Sequence, residues 1–480
     1  MPVRRLHGRS LMEDARKRQA VAGVVLSIFL GAMESTVVAT AMPKAVASLG
    51  GIEIYSWVGS GFLLTSTVMM PLWGRLSDLF GRRAVYLTGL VIFLAGSVLS
   101  GLSQDMRELI VFRMIQGLGA GSLMTIGMTI VGELFGLERR ARMQGYIASV
   151  WGVASLLGPL IGGLLTDHVS WRWVFYINVP FGAVAMALIA SGLRDGERPE
   201  QKPVIDYTGA ALFAAGVSAL LLGLELGRRQ ESVGVAVAVP VLVAAVALTT
   251  FIAVERRAPE PMIPLRLFTN RIVVAAAVTG FLAGVAMFGS IQFVPLFLQA
   301  VAGMSATAAG VVLIPFVFGW VAMSVMGARL VLRVGYRTVV LAGMVCLVTS
   351  FVLLSRWSAA LTQGVAMRDA LVGGIGMGLN MVPMLIAVQS AVPRSDLGAA
   401  TSMTQFFRAV GGAIGIAVMG VVMARQLSSG QPMAEALHAV FVVGFLISLA
   451  ALASVFLVPG GRAQDLARAD LGSEPTHARG

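Results

Sequence analysis

Long apolar stretches recur down the whole chain, separated by short arginine-bearing loops, and few folds accommodate that pattern. Stretches able to cross about 30 Å of hydrocarbon fall at roughly 20–43, 55–75, 84–103, 109–134, 142–167 and 172–193. A compact pair follows at roughly 206–227 and 234–254. Six more lie at roughly 271–299, 307–330, 337–356, 366–392, 398–425 and 437–458, for about fourteen in all. An open sheet edge leaves backbone groups unbonded in lipid, so each stretch is predicted to be a helix. Composition bears on the same point, because 57% of the residues are hydrophobic and only 12% charged. A soluble domain carries about twice that charged share. The 56 glycines suit close helix packing inside a bilayer.

The net charge of +12 invites a reading as a nucleic-acid binder, but the arginines are scattered over short loops. With the N-terminus in the cytoplasm, the inside segments are 4–18, 75–83, 139–142, 194–202, 256–271, 329–337, residue 394 and the tail. They hold about 26 of the 36 Lys and Arg, against about 8 outside, as the positive-inside rule requires. The charge is a topology signal: both termini are expected in the cytoplasm, and no nucleic-acid partner is. The basic leader precedes a long apolar run without an A-x-A-like cleavage site, so that run reads as the first span.

Several chemistries find no support. A single cysteine, Cys346, excludes an internal disulfide, and the four histidines do not cluster, so no metal and no cofactor is expected. GLGAGS (117–122) follows no strand and lies in a span, unlike a dinucleotide loop. No phosphate-binding G-x-x-x-x-G-K-[ST] run occurs, which favours an ion gradient over nucleotide as the energy source. No nucleophile–base set appears in the spans, so an enzyme is not expected.

The chain repeats itself. WGRLSDLFGRRAV follows the second stretch and GARLVLRVGYRTVV the tenth. Aligning Gly81 with Gly335 matches Arg75 to Arg329, Leu76 to Leu330 and Arg83 to Arg337. The economical plan is a leader (1–19), a six-helix bundle (20–193), a linker with two extra spans (194–270), a second six-helix bundle (271–458) and a tail (459–480). Residues 256–271 are too polar to span and are expected along the cytoplasmic interface. The tail is expected to be disordered.

These residues carry a specific resemblance. GRLSDLFGRR (74–83) resembles the signature loop of the major facilitator superfamily. RMIQGLGAG (113–121) resembles its fourth-span motif, and GVASLLGPLIGG (152–163) the fifth-span motif of its drug exporters. MESTVVATAMP (33–43), WRWVFYINVPFG (171–182) and FLQAVAGMSATAAGVVLIP (297–315) resemble its fourteen-span drug:proton antiporter branch. The chain departs from that branch in having Glu34 where Asp is frequent and Ala39 where Asn is frequent. The second copy of the loop has Leu332 in place of Asp78.

The resemblance implies an all-α major facilitator fold and a proton-coupled exporter of small amphiphilic or lipophilic compounds such as drugs. It implies a monomer in a bacterial inner membrane, acting on protons and amphiphiles among membrane lipids. Export of lipids or endogenous metabolites is the alternative. A non-transporting sensor or scaffold is disfavoured, because charges within spans are costly for passive structure.

Glu34 sits about nine residues, or ~13 Å, from the outer end of its stretch. An acid there is expensive when ionised and suits proton coupling. Arg113, roughly 7 Å deep, lies within reach of it, and Gln116 is a neutral partner one turn on. Gln116, Arg408 and Gln292 are candidate cavity residues. The resemblance also implies that Asp78 latches onto residues 397–400, at the start of a helix, with Arg82 and Arg83 assisting. Gly158, Pro159, Gly162 and Gly163 are expected to bend or closely pack their helix.

Overall fold

In hydrocarbon a backbone must bond to itself, and every regular element described is helical. The structure, a computed structural model, describes residues 3–460 except 52–53, 55–56, 195–205, 230–233, 259–260, 262, 292 and 459. The chain opens with α1 (Val3–Leu49), α2 (Trp57–Phe80), α3 (Arg82–Leu102), α4 (Met106–Leu134), α5 (Leu137–His168), α6 (Trp173–Tyr176) and α7 (Asn178–Gly192). A pair follows, α8 (Tyr207–Arg229) and α9 (Val235–Glu255). Next come α10 (Arg271–Ile291), α11 (Val294–Ala300), α12 (Ala306–Val334), α13 (Tyr336–Leu354), α14 (Gln363–Ser390), α15 (Leu397–Ser428) and α16 (Met433–Ser454). Among the described residues, 11 helical segments are long and apolar enough to cross a membrane. The protein is therefore an all-α, multi-pass integral membrane protein.

Local sequence explains where these helices begin and break. Asp105 caps α4, accepting from the Glu108 amide at 2.9 Å, while Glu108 accepts from the Gln104 amide at 2.8 Å. Ser305 caps α12 in the same way. The apolar stretches at 172–193 and 271–299, each expected to be one helix, are instead broken into α6–α7 and α10–α11. Proline stands early in both second pieces, at Pro180 and Pro295, where a helix tolerates its missing N–H. The basic leader, expected as a separate segment, is continuous with α1 wherever it is described.

α2 is not among the 11 and carries several polar residues, yet it satisfies its own hydroxyls. Thr65 Oγ1 donates to the Met114 carbonyl of α4 at 2.9 Å, and Trp73 Nε1 to the Leu118 carbonyl at 2.6 Å. Those bonds join α2 to α4.

Among the described residues, the buried apolar side chains form three groups. One is built almost wholly from α1–α7 and a second mainly from α10–α16. The third joins Phe213 and Val217 of α8, Phe251 of α9, Val68 of α2, and Met403 and Phe406 of α15. The Phe213 ring lies 5.4 Å from Phe251 and 5.3 Å from Phe406. The α8–α9 pair thus packs over the line where α2 meets α15.

The sequence repeat has a backbone counterpart. Gly81 lies between α2 and α3 with φ 91° and ψ 147°, and Gly335 lies between α12 and α13 with φ 85° and ψ 165°. Only glycine enters that region without strain, so both turns need it. Residues 256–271 contain a 3-10 turn, Leu265–Thr269, whose Leu267 is buried against protein. Leu267 and Phe268 pack against the helices. The tail and Gln292 lie outside the described residues.

Candidate functional site

Three groups of polar residues stand out, at different depths. The first is buried among α1, α2, α4 and α7. Glu34 of α1 is fully buried and Arg113 of α4 is 2% exposed, and the two form an ion pair through Oε1 and Nη1. Arg113 Nη1 also donates to Gln116 Oε1 at 2.8 Å, and its guanidinium stands 4.1 Å over the Phe62 ring. The second oxygen of Glu34 accepts from Asn178 Nδ2 at 2.6 Å, and that same nitrogen reaches Ser97 Oγ at 3.0 Å. The predicted trio of Glu34, Arg113 and Gln116 is thus brought together.

Asn178 was not singled out from the sequence, although it lies within the quoted WRWVFYINVPFG run. It reaches Glu34 because α6–α7 breaks just before it. Asn178 Oδ1 and Gln116 Nε2 are buried without hydrogen-bond partners. An amide carries both a donor and an acceptor, so each can serve either a charged or a neutral carboxyl after a flip. Arg113 would keep partners in Gln116, Phe62 and the Val58 carbonyl, 3.4 Å from its Nε, even with Glu34 neutral. The cluster therefore offers hydrogen-bonding groups for either protonation state of Glu34.

The second group lies where α2, α3, α4 and α15 meet. Asp78 accepts from the Gly398 and Ala399 amides at 3.0 and 2.8 Å, within the first turn of α15. This is the contact expected for residues 397–400. A carboxylate there bonds unpaired amides and faces the positive helix end. Arg82 pairs with Asp78 at 2.5 Å and with Glu133 of α4 at 2.7 Å, and donates to Ser77 Oγ at 2.6 Å. Arg83, at the next position, is half-buried. The approach of α2 to α15 requires small residues, since a Cβ at Gly398 would sit 2.6 Å from both Asp78 Oδ1 and the Gly74 carbonyl.

Nearby, Arg266 pairs with Asp396 at 2.9 Å. On the other side of this end, Arg140 of α5 donates to the Gln389 carbonyl of α14 at 2.9 Å. Gln144 Nε2 reaches Gln389 Oε1 at 3.2 Å. Glu133, Arg140, Gln144, Gln389 and Asp396 were not read as site residues from the sequence; only the clustering of charge at helix ends hinted at them.

The third group lines a cavity of about 590 Å³ between α2, α8, α15 and the α10–α11 break. Neither Gln116 nor Arg408 lines it. Arg408 is half-buried on α15, and among the described residues its guanidinium has no hydrogen-bond or ion-pair partner. Gln405, one turn earlier, has its Nε2 3.2 Å from Met128 Sδ of α4. Gly158 and Gly162 are buried on α5, which runs unbroken through 158–163. Space is open beside Gly163, so close packing does not account for that glycine. Among the described residues no group of His, Cys, Asp or Glu could hold a metal ion.

The family model described as Major Facilitator Superfamily matches residues 24–416. The chain belongs to this superfamily. It is a secondary active transporter of small molecules across a membrane, in a superfamily whose members carry solutes and do not catalyse reactions. Among curated superfamily members, the chain is 37% identical to "Multidrug transporter protein MdtP" of Bacillus subtilis over 92% of its own length and 81% of that protein's. It is 36% identical to "Multidrug resistance protein 3" of Bacillus subtilis, over 85% of this chain and 80% of that one. Among solved superfamily structures, the human organic anion transporter MFSD10 superposes with a TM-score of 0.64 at 17% identity, covering 90% of this chain and 99% of that one. The proton:xylose symporter XylE gives 0.62 at 13% identity, covering 91% of this chain and 95% of that one. At those identities the likeness concerns the fold.

Proposed function

We propose that the protein is a proton-coupled exporter of small amphiphilic or lipophilic compounds, drugs among them, working by alternating access. The observation that carries this reading is the buried cluster of Glu34, Arg113, Gln116 and Asn178. An ionised acid within a span costs about 2.5–3.5 kcal/mol on insertion scales, and this one sits beside amides suited to both of its protonation states. Export of amphiphiles is supported by the GPLIGG run of α5 and by the names of the two Bacillus relatives.

On this reading α1, α2 and α5 also cross the membrane, and α6–α7 and α10–α11 are each one broken crossing. With the others they make about fourteen, as two six-helix bundles joined by the α8–α9 pair. Asp78, Arg82 and the start of α15 latch the cytoplasmic side in an outward-facing form. A proton from outside neutralises Glu34, its hold on Arg113 weakens, and the bundles rock to open inward. Cargo enters, Glu34 releases its proton inside, and the latch closes again. Arg408 and Gln292 are offered as cavity residues, and Gly158, Pro159, Gly162 and Gly163 as the place where α5 flexes. The protein works as a monomer in a bacterial inner membrane with both termini in the cytoplasm.

The test is purified protein in liposomes, given a pH jump and a panel of lipophilic cations and neutral dyes. A proton supplies roughly 1.4 kcal/mol per pH unit, and a membrane potential roughly 2.3 kcal/mol per charge per 100 mV. Uphill movement that follows the imposed gradient is expected. Movement indifferent to the gradient would overturn the coupling.

A further inference from the structure

The α8–α9 pair carries two acids that the Glu34 cluster does not use. Asp206 stands just before α8, and Glu255 is the last residue of α9. Each commits one carboxyl oxygen to a backbone amide. Asp206 Oδ1 accepts from the Gly209 amide at 2.8 Å and so caps α8, while Glu255 Oε1 accepts from the Ile263 amide of the 256–271 segment. Their other oxygens, Asp206 Oδ2 and Glu255 Oε2, are buried and have no hydrogen-bond partner among the described residues.

Those two oxygens face each other. A Cβ added at Gly209 would stand 2.2 Å from Asp206 Oδ2 and 2.7 Å from Glu255 Oε2, and the two carboxyl groups are within hydrogen-bonding reach. Ionised carboxylates only accept, so neither oxygen can satisfy the other. Glu255 is 3% exposed and sits next to the apolar group of Ile263, Phe251 and Phe213, so bulk water does not separate the two acids. From α2, Arg75 faces Glu255, but it is engaged elsewhere as well. Arg256 and Arg257 are exposed beyond the end of α9, and Arg266 is taken up by Asp396. Two carboxylates side by side repel, and one proton held between them turns the repulsion into a hydrogen bond.

We propose that Asp206 and Glu255 hold one shared proton, a second proton-binding site that clasps together the start of α8, the end of α9 and the 256–271 segment. That segment runs on to Arg266, which pairs with Asp396, the residue before α15, and Asp78 holds the first amides of α15. Loss of the shared proton sets two charges against each other and loosens the segment beside the latch. Opening the clasp releases the proton, so by linkage opening grows easier as pH rises, up to about tenfold per pH unit for one proton. The inference goes beyond the export reading, and its test needs neither cargo nor a gradient.

The full chain in detergent, carrying Ile263→Cys with Cys346→Ser, reports opening as a rate of thiol labelling. Asp206→Asn and Glu255→Gln each keep an oxygen for the backbone amide and supply a permanent donor in place of the proton. Dividing each labelling rate by that of the same cysteine in Asp206→Asn cancels the thiol's own pH dependence. The quotient is expected to rise with pH for the parent pair and to stay flat for Glu255→Gln. Infrared difference spectra between mildly acidic and mildly alkaline pH should show a loss of protonated-carboxyl C=O absorption that is smaller in both variants than in the parent.

A flat quotient for the parent pair, or an equal infrared loss in parent and variants, overturns the shared proton. So does a labelling rate that follows Na+ concentration at fixed pH, which would make the pair a cation site. If efflux ignores an imposed gradient while the quotient rises with pH, the coupling reading falls and the clasp stands. If efflux follows the gradient while the quotient stays flat, the clasp falls and the coupling reading stands.

Discussion

Taking away Glu34 alone strands Arg113, a buried guanidinium whose other partners are an amide oxygen, a carbonyl and a ring. Breaking a buried pair from one side costs ~3–5 kcal/mol, while replacing both members by apolar groups of similar volume is often neutral. Glu34→Ala should therefore lower thermal stability in detergent sharply, and the double variant Glu34→Leu, Arg113→Met should recover most of the loss. Glu34→Gln keeps the shape and imitates a permanently protonated acid. It should bind cargo but lose pH-driven uphill efflux, and normal uphill efflux by it would falsify the coupling role. Glu34→Asp should retain part of the efflux with an altered pH optimum, since the shorter side chain reaches less far toward Arg113. Glu34, Arg113 and Gln116 were legible in the sequence because polar groups are rare in apolar runs. Asn178 was not, because its partnership depends on how α7 leans on α1, and one amide in a run says nothing about its neighbour in space.

At the scale of the elements, the repeat was the strongest guide. Gly81 and Gly335 were matched by spacing alone, and both adopt the same glycine-only backbone conformation. Gly81→Ala and Gly335→Ala should each cost roughly 1–3 kcal/mol, read as a lower melting temperature, whereas Gly364→Ala, in open space at ordinary φ, should not. What the sequence hid was the breaks in α6–α7 and α10–α11, since hydropathy records that a segment is buried but not where its backbone turns. The latch depends on a helix end: Asp78→Asn keeps the shape but gives up the charge facing the α15 N-terminus, an interaction worth about 0.3–2 kcal/mol. Expression should hold. Cysteines placed at the cytoplasmic end should label faster than in the parent and efflux should fall, while equal labelling with full efflux would remove the latch from the mechanism.

For the molecule as a whole, arginine placement predicts that a reporter active only in the cytoplasm, fused after residue 480, will be active. An inactive but well-expressed fusion would reverse the assigned orientation. The two contact lines at the latch end are chemically unlike. Between α2 and α15 the closure is made by Asp78 on the Gly398 and Ala399 amides, with the Arg82–Asp78 pair backing it within the first half and Arg266–Asp396 on the side of the second. The matching position of the second repeat is Leu332, packed on the same apolar core as Leu137 and Ala141 of α5, whose start has no side-chain cap. Parting the first line draws a carboxylate off the positive end of a helix, whereas parting the second wets hydrocarbon. Wetting apolar surface raises the heat capacity by about 0.45 cal/mol/K for each Å². Cross-linking across the α5–α12 line should therefore bend with temperature and pass through a maximum. Across α2–α15 it should respond to ionic strength instead, so that cold and salt become separate handles on one gate.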